Sequence, residues 1–351
     1  MNQKICKEKR ETKLSSQYIA QYKNSSRGLI FALIVLIGNG LHPIINNLRP
    51  EEFISTIFVL QMSLWEFFCA FIVLLLQKRN KKEKSKSPIS KNSSQICFSK
   101  KNIIFRMLIV GLLFSIATYG YVEGLKEAGS ISGSIALKIS PIYAIIIGFL
   151  FLGERLNGKP ILITIFMLLG IYYLGTNGTF LIDQFSIGFA ILLVVPFLWT
   201  IAHALTKPLL ENKILVPNQV IFIRTGIISF SFLIINLFIY DWSELLLSFI
   251  NPSFLLFSFL MGFTYFFMHY SWYSSIIIID LSFASALVTP SPAITTLIAL
   301  LLEMEDFHYY QLIGMIWAFI GLYGLIIVNK NPKKKEKEKK EKNEIKVNNL
   351  I

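Results

Sequence analysis

The chain has 351 residues, 54% of them apolar, with a mean hydropathy of +0.58 and a formal net charge of +13. That hydropathy excludes an ordinary soluble protein of this length. The positive charge excludes a DNA-binding domain by its placement, because most of the 34 Lys and Arg residues lie in the two ends and in alternate connections between apolar runs.

A helix needs about 20 apolar residues to cross a hydrocarbon core of about 30 Å. Ten such runs occur, at about 28–47, 53–76, 103–124, 131–152, 160–177, 185–206, 218–240, 254–275, 281–302 and 309–329. They lack strand alternation, so the expectation is an all-α polytopic membrane protein with ten transmembrane helices. Residues 1–27 form a basic tail with no apolar core of their own, so no cleavable signal peptide is expected. The first run carries His42. The second contains "LWEFFCAF", which sets Glu66 well inside the membrane as a candidate cargo-binding or titrating carboxylate. A basic loop, 77–102, follows it.

The third run holds Phe114, Thr118 and Tyr121 at helical spacing. The fourth contains Lys138 and then Pro141, and it leaves the membrane at Gly153-Glu154-Arg155. Lys138 is expected to bind cargo or to pair with Glu66. Pro141 displaces the Leu137 carbonyl from the helix ladder, and a freed carbonyl at that depth has to be satisfied internally or line a polar cavity. The sixth run carries Trp199, a weak site candidate, and His203, expected at the interface. Arg224 in the seventh lies about 9 Å from an edge and is expected to snorkel or pack. The eighth reads "GFTYFFMHYSWY" and lines up Tyr265, His269, Trp272 and Tyr273 along one face. Tyr265 and His269 are the deeper pair and are expected to touch cargo, with Thr118 and Tyr121 opposite them. Trp272 and Tyr273 suit interfacial anchors. The ninth run has Pro290 and Pro292, candidate hinges with Pro141, and the Lys/Glu-rich tail 330–351 is expected to be disordered.

An internal repeat underlies this order. A shift of 151 residues carries Pro141 to Pro292, Glu154 to Glu305, Gly170 to Gly321, Tyr172 to Tyr323, Tyr119 to Tyr270 and Ser134 to Ser285. Each unit holds five runs, and an odd number makes the second copy enter from the opposite side, as two inverted five-helix repeats. The Lys/Arg bias then places both termini in the cytoplasm. Glu154, at the membrane exit, is read as structural or gating.

"SPIYAIIIGFLFLGERL" with "LLGIYYL", echoed by "PAITTLIALLLEMEDF" and "FIGLYGLI", resembles the EamA-type drug/metabolite transporter superfamily across about 28–329. The echo is degenerate, since Met304 replaces the glycine before Glu305. The resemblance implies a first EamA repeat at 28–177, a second at 184–329, and movement of small metabolites. Together with the residues it points to an alternating-access secondary transporter of a small polar or zwitterionic, amino-acid-like solute in the plasma membrane. An organic-cation exporter and a non-transporting sensor are the alternatives. The expected partners are the small-molecule substrate and the lipid bilayer, with proton coupling and a homodimer left open and nucleic acid excluded. No cofactor, metal or enzymatic activity is expected, since no catalytic constellation is visible.

Overall fold

The computed structural model describes residues 27–50, 52–83, 100–140, 142–143, 158–212, 214–278, 284, 287–324 and 327. Their helices are α1 Arg27–Leu48, α2 Ser55–Glu83, α3 Lys100–Ala128, α4 Ser130–Ala136, α5 Gly158–Gly175, α6 Ile187–Glu211, α7 Pro217–Ile239, α8 Trp242–Ile250, α9 Pro252–Ile278, α10 Ser291–Leu301 and α11 at 309–324. Among the described residues six of these, α1, α2, α3, α6, α7 and α9, are long and apolar enough to cross a membrane. The fourth, fifth and ninth runs appear as shorter apolar helices. The all-helical membrane architecture is therefore present, while the described helices of spanning length number six rather than ten. Pro141, Glu154 and Ser285 lie outside the described residues.

Two of the short helices show a local change of backbone within their runs. α4 tightens after about two turns into a 3₁₀ turn, Leu137–Ile139, which contains Lys138. The Ser140 hydroxyl donates to the Leu137 carbonyl at 3.2 Å, the group that Pro141 was expected to displace. In the ninth run, Thr289 and Pro290 form a turn, and α10 begins only at Ser291 with Pro292 in its first turn. Proline fits there because a first-turn N–H has no intrahelical acceptor. Pro290 and Pro292 therefore mark a helix start, not a kink within a continuous helix.

Glycines set the closest helix approaches. A Cβ on Gly262 would lie 2.3 Å from the Met62 carbonyl oxygen and 2.6 Å from the Trp65 Cβ, so α9 rests directly on the α2 backbone. One on Gly111 would meet Ile227 at 2.6 Å, bringing α3 against α7. Gly111 and Gly262 are themselves 151 residues apart. Gly124 meets Leu192 and pairs α3 with α6, while Gly38 meets Met268 and pairs α1 with α9. Gly40 and Ile294 join α1 to α10, as Tyr143 and the Leu193 carbonyl join the fourth run to α6. Gly170 and Gly321 both sit in the seam between α5 and α11. Each of these contacts between the first and second halves thus has a counterpart with the halves exchanged, or is its own counterpart.

One end of the bundle is tied by polar bonds. Asn46 and Asn47 donate to the Val122 and Leu125 carbonyls, and Arg49 donates to Asn46 and Ser55. Burial lowers the Arg49 guanidinium to about 10, opposed by the nearby Glu123 carboxylate. The Glu305 carboxylate accepts the backbone N–H groups of Ser130 and Ile131, capping α4 from a distant loop. Free N–H groups at a helix start favour such an anionic partner. Gln311 donates to Ser132, and Ser130 to the Pro43 carbonyl. Glu305 is the repeat partner of Glu154, so a structural part is visible for the second copy of that position.

Candidate functional site

α2 and α7 are stitched along their length by buried polar pairs. Thr56 donates to Asn236 at 2.7 Å, and the Ser63 and Ser229 hydroxyls meet at 2.8 Å. The polar side of α7 runs Asn218, Arg224, Thr225, Ser229 and Asn236, all buried. Helical spacing puts Arg224 on that interior side, where it is 0% exposed. It does not snorkel, which corrects the expectation from its depth alone. Seven residues into α7, about 10 Å along the axis, its guanidinium meets a carboxylate in place of water.

That carboxylate is Glu66, 2% exposed. The Arg224 Nη2 donates to Glu66 Oε1 at 2.5 Å, and the His269 Nδ1 lies 2.9 Å from the same oxygen. Nη2 and Nδ1 are 3.0 Å apart, so three groups from α2, α7 and α9 converge on one point. Gly262 makes this possible, because only a residue without a Cβ lets α9 approach α2 closely enough. Beneath the guanidinium, the Phe114 ring on α3 lies 4.2 Å from Cζ, a cation–π arrangement. Tyr273 comes within 3.5 Å of Nη1.

Aromatic rings extend the site toward the tied end. His42 stacks on Tyr265 at 4.2 Å between centroids, Tyr265 meets Tyr121 at 6.1 Å, and Tyr121 meets Trp199 at 5.7 Å. On the other side His203 packs on Phe114 and Tyr273. Among the described residues, five buried polar atoms of this assembly have no hydrogen-bond partner: His42 Nε2, Trp199 Nε1, His203 Nδ1, Arg224 Nε and Trp272 Nε1. Buried polar atoms are ordinarily satisfied by protein, water or ligand. Such a concentration around one arginine leaves hydrogen-bonding capacity for a polar guest.

The structure brings together Glu66, His269, Tyr265 and Tyr121. Thr118 is buried one turn from Phe114 on α3. Lys138 stands apart on its 3₁₀ turn, which packs against α6. Among the described residues the ion pairs of Glu66 are with Arg224 and His269, so the expected Glu66–Lys138 pair is replaced. Tyr273, expected as an interfacial anchor, is 0% exposed and faces Arg224. His203 likewise turns its ring into the aromatic cluster, away from the interface. Sequence reading missed Arg224, Phe114, Tyr273 and His203 as members of one site. The signal was the three-and-four spacing of polar residues along α7. No group of three or more His, Cys, Asp or Glu residues suited to a metal occurs among the described residues.

Residues 26–176 match the model of the EamA-like transporter family. The chain is 27% identical over 121 residues to an uncharacterized transporter of Methanothermobacter thermautotrophicus, a stretch of 33% of this chain and 35% of the relative's length. A solved crystal structure superimposes with a TM-score of 0.58 over 87% of this chain and 99% of its own, at 13% identity, a likeness of fold.

Proposed function

We propose that this chain is a membrane transporter of the EamA type that moves a small zwitterionic metabolite, amino-acid-like in chemistry, by alternating access between two inverted five-helix repeats. The carrying observation is the buried Glu66–Arg224–His269 cluster, whose carboxylate comes from the first half and whose guanidinium and imidazole come from the second. Charged groups within a membrane are costly and face a bundle interior or a cavity when they persist. A zwitterion presents a carboxylate that suits Arg224 and an ammonium that suits the rings of Tyr265 and Tyr121. The exchange-related contacts between the halves support the inverted arrangement, because an element and its inverted copy can trade conformations. In this reading Pro141, Pro290 and Pro292 lie where the broken fourth and ninth runs flex, Glu154 and Glu305 hold the ends, and Lys138 lines the route. The plasma membrane, cytoplasmic termini and a ten-span count complete it.

An organic cation is the competing cargo, favoured by the aromatic rings around Tyr265 and Tyr121. The Arg224 charge beside Glu66 opposes it. Counterflow in proteoliposomes of the full chain decides between them. Internal unlabelled amino acids should drive uptake of labelled amino acid, with organic amines inert. Exchange of amines alone would replace the cargo class, and binding without any exchange would leave a sensor of the same fold.

A further inference from the structure

Three details at the cluster belong together. First, Arg224 is fully buried yet under-used: among the described residues its Nε has no acceptor, and its Nη1 has only the distant Tyr273 hydroxyl. A guanidinium carries five donors in a planar fork that matches a carboxylate two bonds at a time. Second, its sole carboxylate partner in this cluster, Glu66, is shared with His269 through the same oxygen. Third, the contacts of His269 Nδ1 conflict. With a lone pair, Nδ1 accepts from Arg224 but faces the carboxylate oxygen of Glu66 lone pair to lone pair. With a hydrogen, it donates to Glu66 but opposes the Arg224 N–H. A proton on Glu66 removes the conflict, since Glu66 then donates to Nδ1 and no longer holds the guanidinium by charge.

We infer, resting on the transporter reading above, that Arg224 is the receptor for a carboxylate on the cargo. Glu66 occupies that seat as an internal stand-in until a proton enters the Glu66–His269 pair. The proton comes from solution and ends on the Glu66 carboxylate, and the cargo carboxylate takes its place at Arg224. The site is neutral before, with one arginine cation and one carboxylate, and neutral after, with the cargo's carboxylate in that role. One proton therefore accompanies each carboxylate. A monocarboxylate binds electroneutrally, whereas a zwitterion adds one positive charge. The other titratable groups around the pair are His42 of α1, Cys69 of α2, Tyr121 of α3, His203 of α6, and Tyr265 and Tyr273 of α9.

The test uses the purified full-length chain and three probes of matched shape: phenylacetate, phenylacetamide and phenethylamine. Phenylacetate should bind wild type with uptake of one proton, read with an indicator dye in weakly buffered solution. Its apparent Kd should rise about tenfold per pH unit once the competent, protonated fraction becomes small. Glu66→Gln should bind phenylacetate with no such pH dependence, at least tenfold more tightly at the alkaline end, and be raised in melting temperature by it more than wild type. Arg224→Gln should not bind it. If Glu66→Gln fails to fold, proton count and pH dependence on wild type still decide. Binding of phenylacetate without proton uptake, equal pH dependence in Glu66→Gln, or no phenylacetate binding to wild type would each overturn the inference. Phenethylamine binding with proton release would do so as well. Any of these beside intact counterflow of amino acids leaves the transporter reading standing, whereas loss of counterflow removes that reading instead.

Discussion

Glu66 and Arg224 are each affordable in the membrane only because of the other. Breaking a buried ion pair leaves an uncompensated charge, which typically costs about 3–5 kcal/mol. Glu66→Gln and Arg224→Met should each lower the melting temperature of the detergent-solubilised protein substantially. The double variant should lose clearly less than the sum, because the partners interact directly. Strictly additive losses would mean the two charges are stabilised separately. Glu66 and His269 were legible in the sequence, since a short carboxylate amid "LWEFFCAF" cannot reach water and His269 falls on an aromatic side of a helix. Arg224 was not, because counting rise along a helix gives depth but not direction. A long side chain 10 Å from an edge can turn either way, and only the polar spacing from Asn218 to Asn236 selects the interior.

Between elements, the decisive contacts are those made by glycine. Gly262→Ala would force its methyl into the Met62 carbonyl, 2.3 Å away, and push α9 off α2. Gly226, whose Cβ would stop 3.3 Å from the flexible Phe67 ring, has room to adjust. Thermal melting should therefore separate the two, with Gly262→Ala strongly destabilised and Gly226→Ala near wild type. The α9–α2 shift should also move His269 from Glu66, so Gly262→Ala should lose counterflow even where it still folds. Six long helices were readable from apolar run length alone. In the fourth and ninth runs hydropathy is blind to the backbone: a turn at Thr289–Pro290 and a 3₁₀ turn at Lys138 interrupt runs whose side chains stay oily.

On the scale of the whole molecule, the proposed orientation rests on the distribution of Lys and Arg. The turns at 48–55, 128–130 and 303–309 gather at one end, as alternate connections in a bundle must. Cysteines introduced at Asn177 and Ser243 should react with an impermeant reagent on intact cells. Those at Ser90 and Asn343 should react only after permeabilisation. Reaction at Ser90 from outside would reverse the orientation and remove the argument for cytoplasmic termini.

The opposite signs of Glu66 and Arg224 also bear on ancestry. They stand on α2 and α7, which occupy corresponding places in the two halves of the proposed inverted repeat. The 151-residue shift carries Glu66 to Pro217 and Arg224 to Val73, so neither charge has a charged counterpart in the other half. Two identical copies meeting about a two-fold axis would make every such contact twice, i to j and j to i. This chain makes it once, with the carboxylate in one half and the guanidinium in the other. Each half therefore depends on the other for its charge balance, and an extra copy of one half cannot replace the loss of the other.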